Sequence, residues 1–63
     1  SREEPRMHIH VSAHEGEAKF WIEPKVALCE NYRLSSRTLN ELKGIVESRK
    51  DEIIDAWKKH FKG

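Results

Sequence analysis

Two short segments in which apolar and polar residues alternate lie on either side of a polar break, residues 14–17, that contains Gly16. The apolar positions are Ile9, Val11 and Ala13 before the break and Ala18, Phe20 and Ile22 after it. Alternation with a period of two is typical of strands with one buried face, so the segments predict an antiparallel hairpin. Pairing Ala13 with Ala18 places Val11 opposite Phe20, whereas a shift of one residue places Val11 opposite Lys19. We therefore predict the first register.

A third strand and a helix are predicted from the residues that follow. Pro24 ends the second strand because proline has no N–H to donate to a neighbouring strand. Residues 25–29 are short and apolar, which is typical of a strand, and residues 30–33 predict a loop. Ser35 stands at the position of a helix N-cap, and Leu34 and Leu39 have the spacing of a hydrophobic staple.

Apolar residues recur at helical spacing from Leu39 towards the carboxyl end. At about 100° per residue, five of them lie within about 60° of Leu39; they are Leu42, Val46, Ile53, Trp57 and Phe61. Because this stripe keeps its phase across the polar residues 48–52, the sequence predicts one amphipathic helix over residues 35–61. A kink between Ser48 and Asp51 is the alternative.

The fold class expected from these elements is α+β, with a small antiparallel hairpin and a short third strand packed on one long C-terminal helix. All 63 residues form a single domain (1–63): a loop or trimmed amino terminus (1–6), the sheet (7–29) and the helix (35–61). A helix of about 25 residues extends close to 38 Å, whereas strands of five or six residues extend about 20 Å. We therefore expect the helical stripe and the open hairpin edge to contact another polypeptide.

Size and charge narrow the possible functions. A chain this short has a small core, and its single cysteine, Cys29, excludes an intrachain disulfide, so oligomerisation or partner binding is expected. The 12 basic and 11 acidic residues are interspersed, unlike the basic face of a dedicated nucleic-acid-binding domain. An apolar run of about 20 residues is absent and the amino-terminal residues are charged, so we predict no membrane association and a cytoplasmic location.

The polar face of the hairpin carries the candidate functional residues His8, His10, Lys19 and Trp21. The predicted register places His10 opposite Trp21 and His8 opposite Glu23. His8 and His10 are weak metal candidates, because structural zinc needs four ligands and only two or three can be identified. No cofactor is predicted. Two histidines beside a lysine match the acid–base groups of a small ribonuclease, and Trp21 is suited to stacking on a base. An ordinary solvated face is the simpler interpretation, and no complete catalytic set is recognised.

The chain resembles a family of small bacterial proteins known only as domain of unknown function 4160. The resemblance is carried by residues 4–11 (Glu-Pro-Arg-Met-His-Ile-His-Val), 16–22 (Gly-Glu-Ala-Lys-Phe-Trp-Ile), 34–35 (Leu-Ser), 51–54 (Asp-Glu-Ile-Ile) and 56–61 (Ala-Trp-Lys-Lys-His-Phe). It implies a sheet-plus-helix fold, a bacterial cytosolic setting and a gene neighbourhood similar to that of toxin–antitoxin pairs. Arg6 stands where the family usually has a second proline. Family members also normally begin with a further strand-forming segment, whose absence here would expose a sheet edge.

The sequence therefore predicts a protein that acts by association, either as a homodimer or as one component of a two-protein module. The alternative is a protein that binds or cleaves nucleic acid through the histidine, lysine and tryptophan face.

Overall fold

The computed structural model describes residues 6–60, which form a three-stranded antiparallel sheet and two helices. The elements are β1 (His8–Ser12), β2 (Glu17–Trp21), β3 (Ala27–Tyr32), α1 (Ser36–Ser48) and α2 (Lys50–His60). The sheet order is β1-β2-β3, so β1 and β3 are its two edges. The α+β class is confirmed.

The hairpin is present, but the predicted register was wrong by two residues. Ile9 pairs with Phe20 and Val11 with Ala18, where Ile22 and Phe20 were expected. The chain reverses over fewer residues than predicted, since the Ala13 N–H donates to the Gly16 carbonyl at 2.8 Å. A shift of two residues keeps every side chain on its own face, so the alternating pattern could not exclude it.

The third strand begins and ends later than predicted. Residues 30–32, expected in a loop, belong to β3, where Glu30, Asn31 and Tyr32 pair with Lys19, Ala18 and Glu17. The pairing then passes to Leu28 opposite Phe20, leaving Cys29 as the extra residue of a bulge. Backbone pairing with β2 thus extends the strand into residues whose polar composition favours a turn.

The loop from β3 to α1 is held by side-chain hydrogen bonds. The Asn31 Nδ2 donates to the Leu34 carbonyl and the Leu34 N–H donates to Asn31 Oδ1, both at 3.0 Å. The predicted N-cap is confirmed, because the Thr38 N–H donates to Ser35 Oγ at 3.1 Å. Leu34 of the predicted staple is buried and Leu39 packs against the core.

One face of the sheet packs with the helices to form the core. Its buried members are Ala18, Phe20, Ile22, Val26, Leu34 and Val46. Met7, Ile9, Val11, Ala13, Leu39, Leu42, Ile53 and Ile54 pack around them and are partly buried. The residues between these on β1 and β2 therefore point to the opposite face of the sheet.

The prediction of one long helix over residues 35–61 was wrong, because two helices meet at Arg49. The backbone of Arg49, at φ −112° and ψ 19°, leaves the helical range, and its N–H is shared between the Ile45 and Val46 carbonyls. The Ser48 hydroxyl also donates to the Ile45 carbonyl at 2.8 Å, and such bonds compete with the helical ladder. Helix α2 then begins at Lys50, and its first turn contains Asp51 and Glu52, whose acidic side chains interact favourably with a helix amino terminus. The break lies between Ser48 and Asp51, where the alternative prediction placed a kink.

The packing at Gly16 yields a stability prediction. A methyl group there would overlap the Tyr32 carbonyl oxygen and lie 2.9 Å from the Arg33 Cβ. We expect Gly16→Ala to lower the free energy of unfolding by roughly 1–3 kcal/mol, because backbone must move to admit it. The matched control is Gly44→Ala in α1, where nothing lies within 4 Å; it should raise stability by about 1 kcal/mol. Urea unfolding measures both, and equal effects would contradict the close approach.

Candidate functional site

The four candidate residues of the hairpin lie together on the face opposite the core. His8 pairs with Trp21 and His10 with Lys19, and directly paired residues of antiparallel strands share a face. The corrected register changes their neighbours, because His8 lies opposite Trp21 and not opposite Glu23. Glu23, which the predicted register placed opposite His8, is therefore not across the strand from it.

Aromatic rings and cations form one contact group on this face, which we call the aromatic cluster: Arg6, His8, His10, Lys19, Trp21 and Trp57. The His8 ring centroid lies 5.3 Å from that of His10 and 6.2 Å from that of Trp21, with the rings edge to face. The Arg6 Cζ and the Lys19 Nζ lie 4.3 and 5.1 Å from the Trp21 ring centroid. These distances are within the range of cation–π attraction.

Helix α2 also reaches the aromatic cluster. The Trp57 ring centroid lies 5.1 Å from that of His8 at an interplanar angle of 69°. Trp57 was predicted as an interface residue and His8 as part of a separate polar face. In the structure the Trp57 and His8 side chains are in contact. The same side chains, together with His10, line a groove between β1 and α2.

Hydrogen bonding orients His8. Its Nδ1 lies 2.7 Å from the Arg6 carbonyl oxygen. Because a carbonyl only accepts, Nδ1 carries the hydrogen, and Nε2 of a neutral ring keeps the lone pair. Such a nitrogen suits a base or a metal ligand. Within residues 6–60, however, no three histidine, cysteine, aspartate or glutamate side chains are placed to hold a metal ion.

The electrostatics of this face are balanced. Lys19 pairs with Glu30 on its other side, and Glu17 lies one row away, opposite Tyr32. Both Arg6 and Lys19 are engaged with the Trp21 ring. A base that stacks on Trp21 competes with these cations for the ring, and a phosphate would meet acidic as well as basic side chains.

A second surface lies at the β1 edge, where a groove separates β1 from both helices. We call it the β1 groove; it is lined by Ile9, Val11, Leu42, Ile45, Val46, Arg49, Glu52, Ile53 and Ala56. Among residues 6–60, the charged residues that line it are Arg49 and Glu52, which form an ion pair at 3.2 Å. Ile45 is 54% exposed, although it is a large aliphatic residue. The groove is therefore an apolar surface open to solvent.

The backbone of β1 offers hydrogen-bonding groups beside this groove. The Ile22 N–H donates to the Met7 carbonyl and the Ala13 N–H to the Gly16 carbonyl. Antiparallel ladders alternate, so Ile9 and Val11 also bond towards β2, while His8, His10 and Ser12 direct their N–H and C=O groups outward. In the described part of the chain, no strand pairs with this side of β1.

The predicted interface residues are divided between core and groove. Val46, Leu42 and Ile53 all line the β1 groove, but Val46 is buried in the chain's own core, whereas Leu42 and Ile53 are only partly buried. Phe61 lies outside the described residues. Whether these residues contact a partner remains a prediction. Ile45 was missed because it lies about 120° from Leu39 at 100° per residue, outside the stripe.

The fold and these two surfaces define a small α+β domain with an uncovered sheet edge beside an apolar groove. A family model described as a domain of unknown function, DUF4160, matches residues 1–58, and the chain belongs to that family. Among curated proteins and solved structures, none matches this chain. None of the helices within residues 6–60 is both long and apolar enough to cross a membrane.

The aromatic cluster can be tested by proton chemical shifts. We expect the Lys19 ε-methylene protons to resonate upfield of those of Lys25, because the Trp21 ring current shields groups above the indole. Trp21→Leu should remove this shift and change stability by no more than about 1 kcal/mol. The matched variant Trp57→Leu should leave Lys19 unchanged and shift the ring protons of His8. If Trp21→Leu leaves the Lys19 resonances in place, the cation does not lie over this ring.

Proposed function

We propose that the protein functions by binding another polypeptide, which adds an extended strand to β1 and covers the β1 groove. The observation that carries this proposal is that outward backbone groups and an exposed apolar groove occur side by side at one sheet edge. A strand added there gains main-chain hydrogen bonds, and every second side chain enters the groove.

The two edges of the sheet differ in how they resist strand addition. Bulges and charged side chains on an edge strand hinder pairing with another chain. The β3 edge has both, in the bulge at Cys29 and in Glu30. The β1 segment, residues 8–12, has no lysine, arginine, aspartate or glutamate and pairs with β2 without a bulge. Of the two edges of the described sheet, β1 therefore has the properties of a strand acceptor and β3 does not.

The groove specifies the chemistry of the added strand. Its lining is aliphatic, so the helix-facing side chains of the strand should be apolar. The alternate side chains would emerge beside His8, His10 and Ser12 and should be small or polar. In the bacterial cytoplasm, the strand would come from a second copy in a homodimer or from the other component of a module similar to toxin–antitoxin pairs.

Ile45 and Leu28 provide a matched pair of variants. Ile45 is 54% exposed in the β1 groove and Leu28 is 45% exposed on β3. We expect Ile45→Glu to weaken association at least tenfold, because it places a charge in the apolar groove, and Leu28→Glu to leave it unchanged. Sedimentation velocity measures self-association, and co-purification with the product of the neighbouring gene measures association with that partner.

Two results would contradict the proposal. One is an unaltered chain that remains a monomer at about 200 µM and does not bind the neighbouring gene product. The other is an Ile45→Glu variant that associates as well as Leu28→Glu while both retain the circular dichroism spectrum of the unaltered protein.

Binding or cleavage of RNA is the second candidate function, favoured by the convergence of Arg6, Lys19 and His8 around Trp21, with His10 beside His8. Under this function the two histidines transfer protons and the cations contact phosphate. The acidic neighbours Glu17 and Glu30 and the formal net charge of +1 make it the weaker proposal.

The RNA function predicts binding of a single-stranded oligonucleotide that weakens steeply with salt, since cations are released from phosphate contacts. Lys19→Ala should reduce affinity several-fold, whereas Lys43→Ala on α1 should not. If the protein cleaves RNA, the paired change His8→Ala and His10→Ala should abolish cleavage. Fluorescence anisotropy and gel analysis measure these effects. Binding that is absent, or independent of salt, would remove this candidate.

A further inference from the structure

We infer that the strand added to β1 is β1 of a second copy, running antiparallel about a two-fold axis that passes beside His10. This inference rests on the proposed function and names its partner. The resulting dimer would have a continuous six-stranded sheet with the helices of both copies on the same face.

The positions of the outward backbone groups select this register. His10 pairs with His10 of the second copy, and His8 pairs with Ser12 of the second copy on each side of the axis. All three outward residues then face outward residues, and each such pair exchanges two hydrogen bonds, giving about six in all. Any other antiparallel register leaves part of the five-residue strand unpaired.

The same rotation matches the apolar faces. Ile9 lies beside Val11 of the second copy on the helix side of the sheet, so the apolar row is continuous across the axis. The groove-lining flank of each α1, including Ile45, turns towards the other copy, because both helical layers lie on one face. A groove that is open in one chain is thus closed by the identical groove of its partner.

Charge favours a second copy over a strongly acidic or basic partner. Within the described chain, the β1 groove carries one acid and one base, Glu52 and Arg49, and they are already paired with each other. Residues 8–12 add no acidic or permanently basic side chain. A two-fold interface places each surface against itself, so it requires this balance of charge.

The surface area that a stable dimer must bury indicates that the β1 backbone edge and the β1 groove contribute to the same interface. A stable interface takes about 800 Å² from each partner, roughly one sixth of the 4841 Å² of accessible surface. A five-residue strand edge is too small to supply it alone. The two-fold arrangement adds the groove-lining flanks of α1 and α2 to the strand contact.

Substitutions at His10 test the inference at the axis. His10→Pro removes the outward N–H and leaves the bonds between β1 and β2 in place, so the monomer should fold. We expect it to weaken dimerisation at least tenfold by sedimentation velocity, whereas His10→Ala, which keeps the N–H, should dimerise within about threefold of the unaltered chain.

Disulfide formation tests the register independently of whether His10→Pro folds. In a Cys29→Ser background, His10→Cys should link two copies under oxidised glutathione, since hydrogen-bonded pairs have Cα atoms about 5.5 Å apart and disulfides span about 4.4–6.8 Å. His8→Cys should not, because His8 lies opposite Ser12 of the second copy and about 13 Å from the other His8 along the strand.

The outcomes separate this inference from the proposed function. A chain that is monomeric at about 200 µM, or a dimer that is linked by His8→Cys and not by His10→Cys, overturns the inference. If such a monomer still binds the neighbouring gene product, and Ile45→Glu abolishes this binding, the proposed function is supported with a different protein as the partner. If Ile45→Glu affects no association at all, the proposed function itself fails.

Discussion

The burial of Phe20 and Ile22 beneath the helices is the packing contact on which the arrangement of the other side chains depends. Both residues are fully buried. Because side chains alternate along a strand, this burial directs Lys19 and Trp21 to the opposite face. Pairing with β2 then places His8 and His10 beside them. The aromatic cluster is thus a consequence of which face of a single sheet is covered.

The change of helix at Arg49 determines how the rest of the chain covers that face. Helix α1 contributes a buried residue, Val46, whereas no described residue of α2 is fully buried. Ile53 and Ile54 only pack around the core, and Trp57 contacts His8 on β1. Helix α2 therefore adds little to the core and much to the surface near the β1 edge, which is where both candidate surfaces lie.

The strands and the start of the helical region could be predicted from local patterns. The register between the strands and the position of α2 against the sheet could not. Alternation identified both hairpin strands, and Ser35 identified the start of a helix, because each depends on neighbouring residues alone. The register depends on whether Ala13 pairs with Ala18 or Gly16, and both choices bury the same faces. A closer count of helical angles could have found the β1 groove: Ile45 and Ala56 lie about 100–120° from Leu39 on one side, which makes the apolar surface wider than one sheet contact requires. No sequence signal links Trp57 to His8, because that contact depends on how α2 leaves Arg49.

The outward-facing backbone edge of β1 and the aromatic cluster share two residues, His8 and His10, so the functions of the two surfaces are coupled. The backbone of His8 faces outward at the β1 edge, while its side chain contacts both tryptophans, Trp21 and Trp57. A strand added at the edge would constrain His8 and through it the aromatic cluster, and a ligand that moves the His8 ring would alter the acceptor edge. Changes at His8 therefore affect both proposed functions and cannot separate them. Ile45, which lines only the groove, and Lys19, which contacts only the cluster, can.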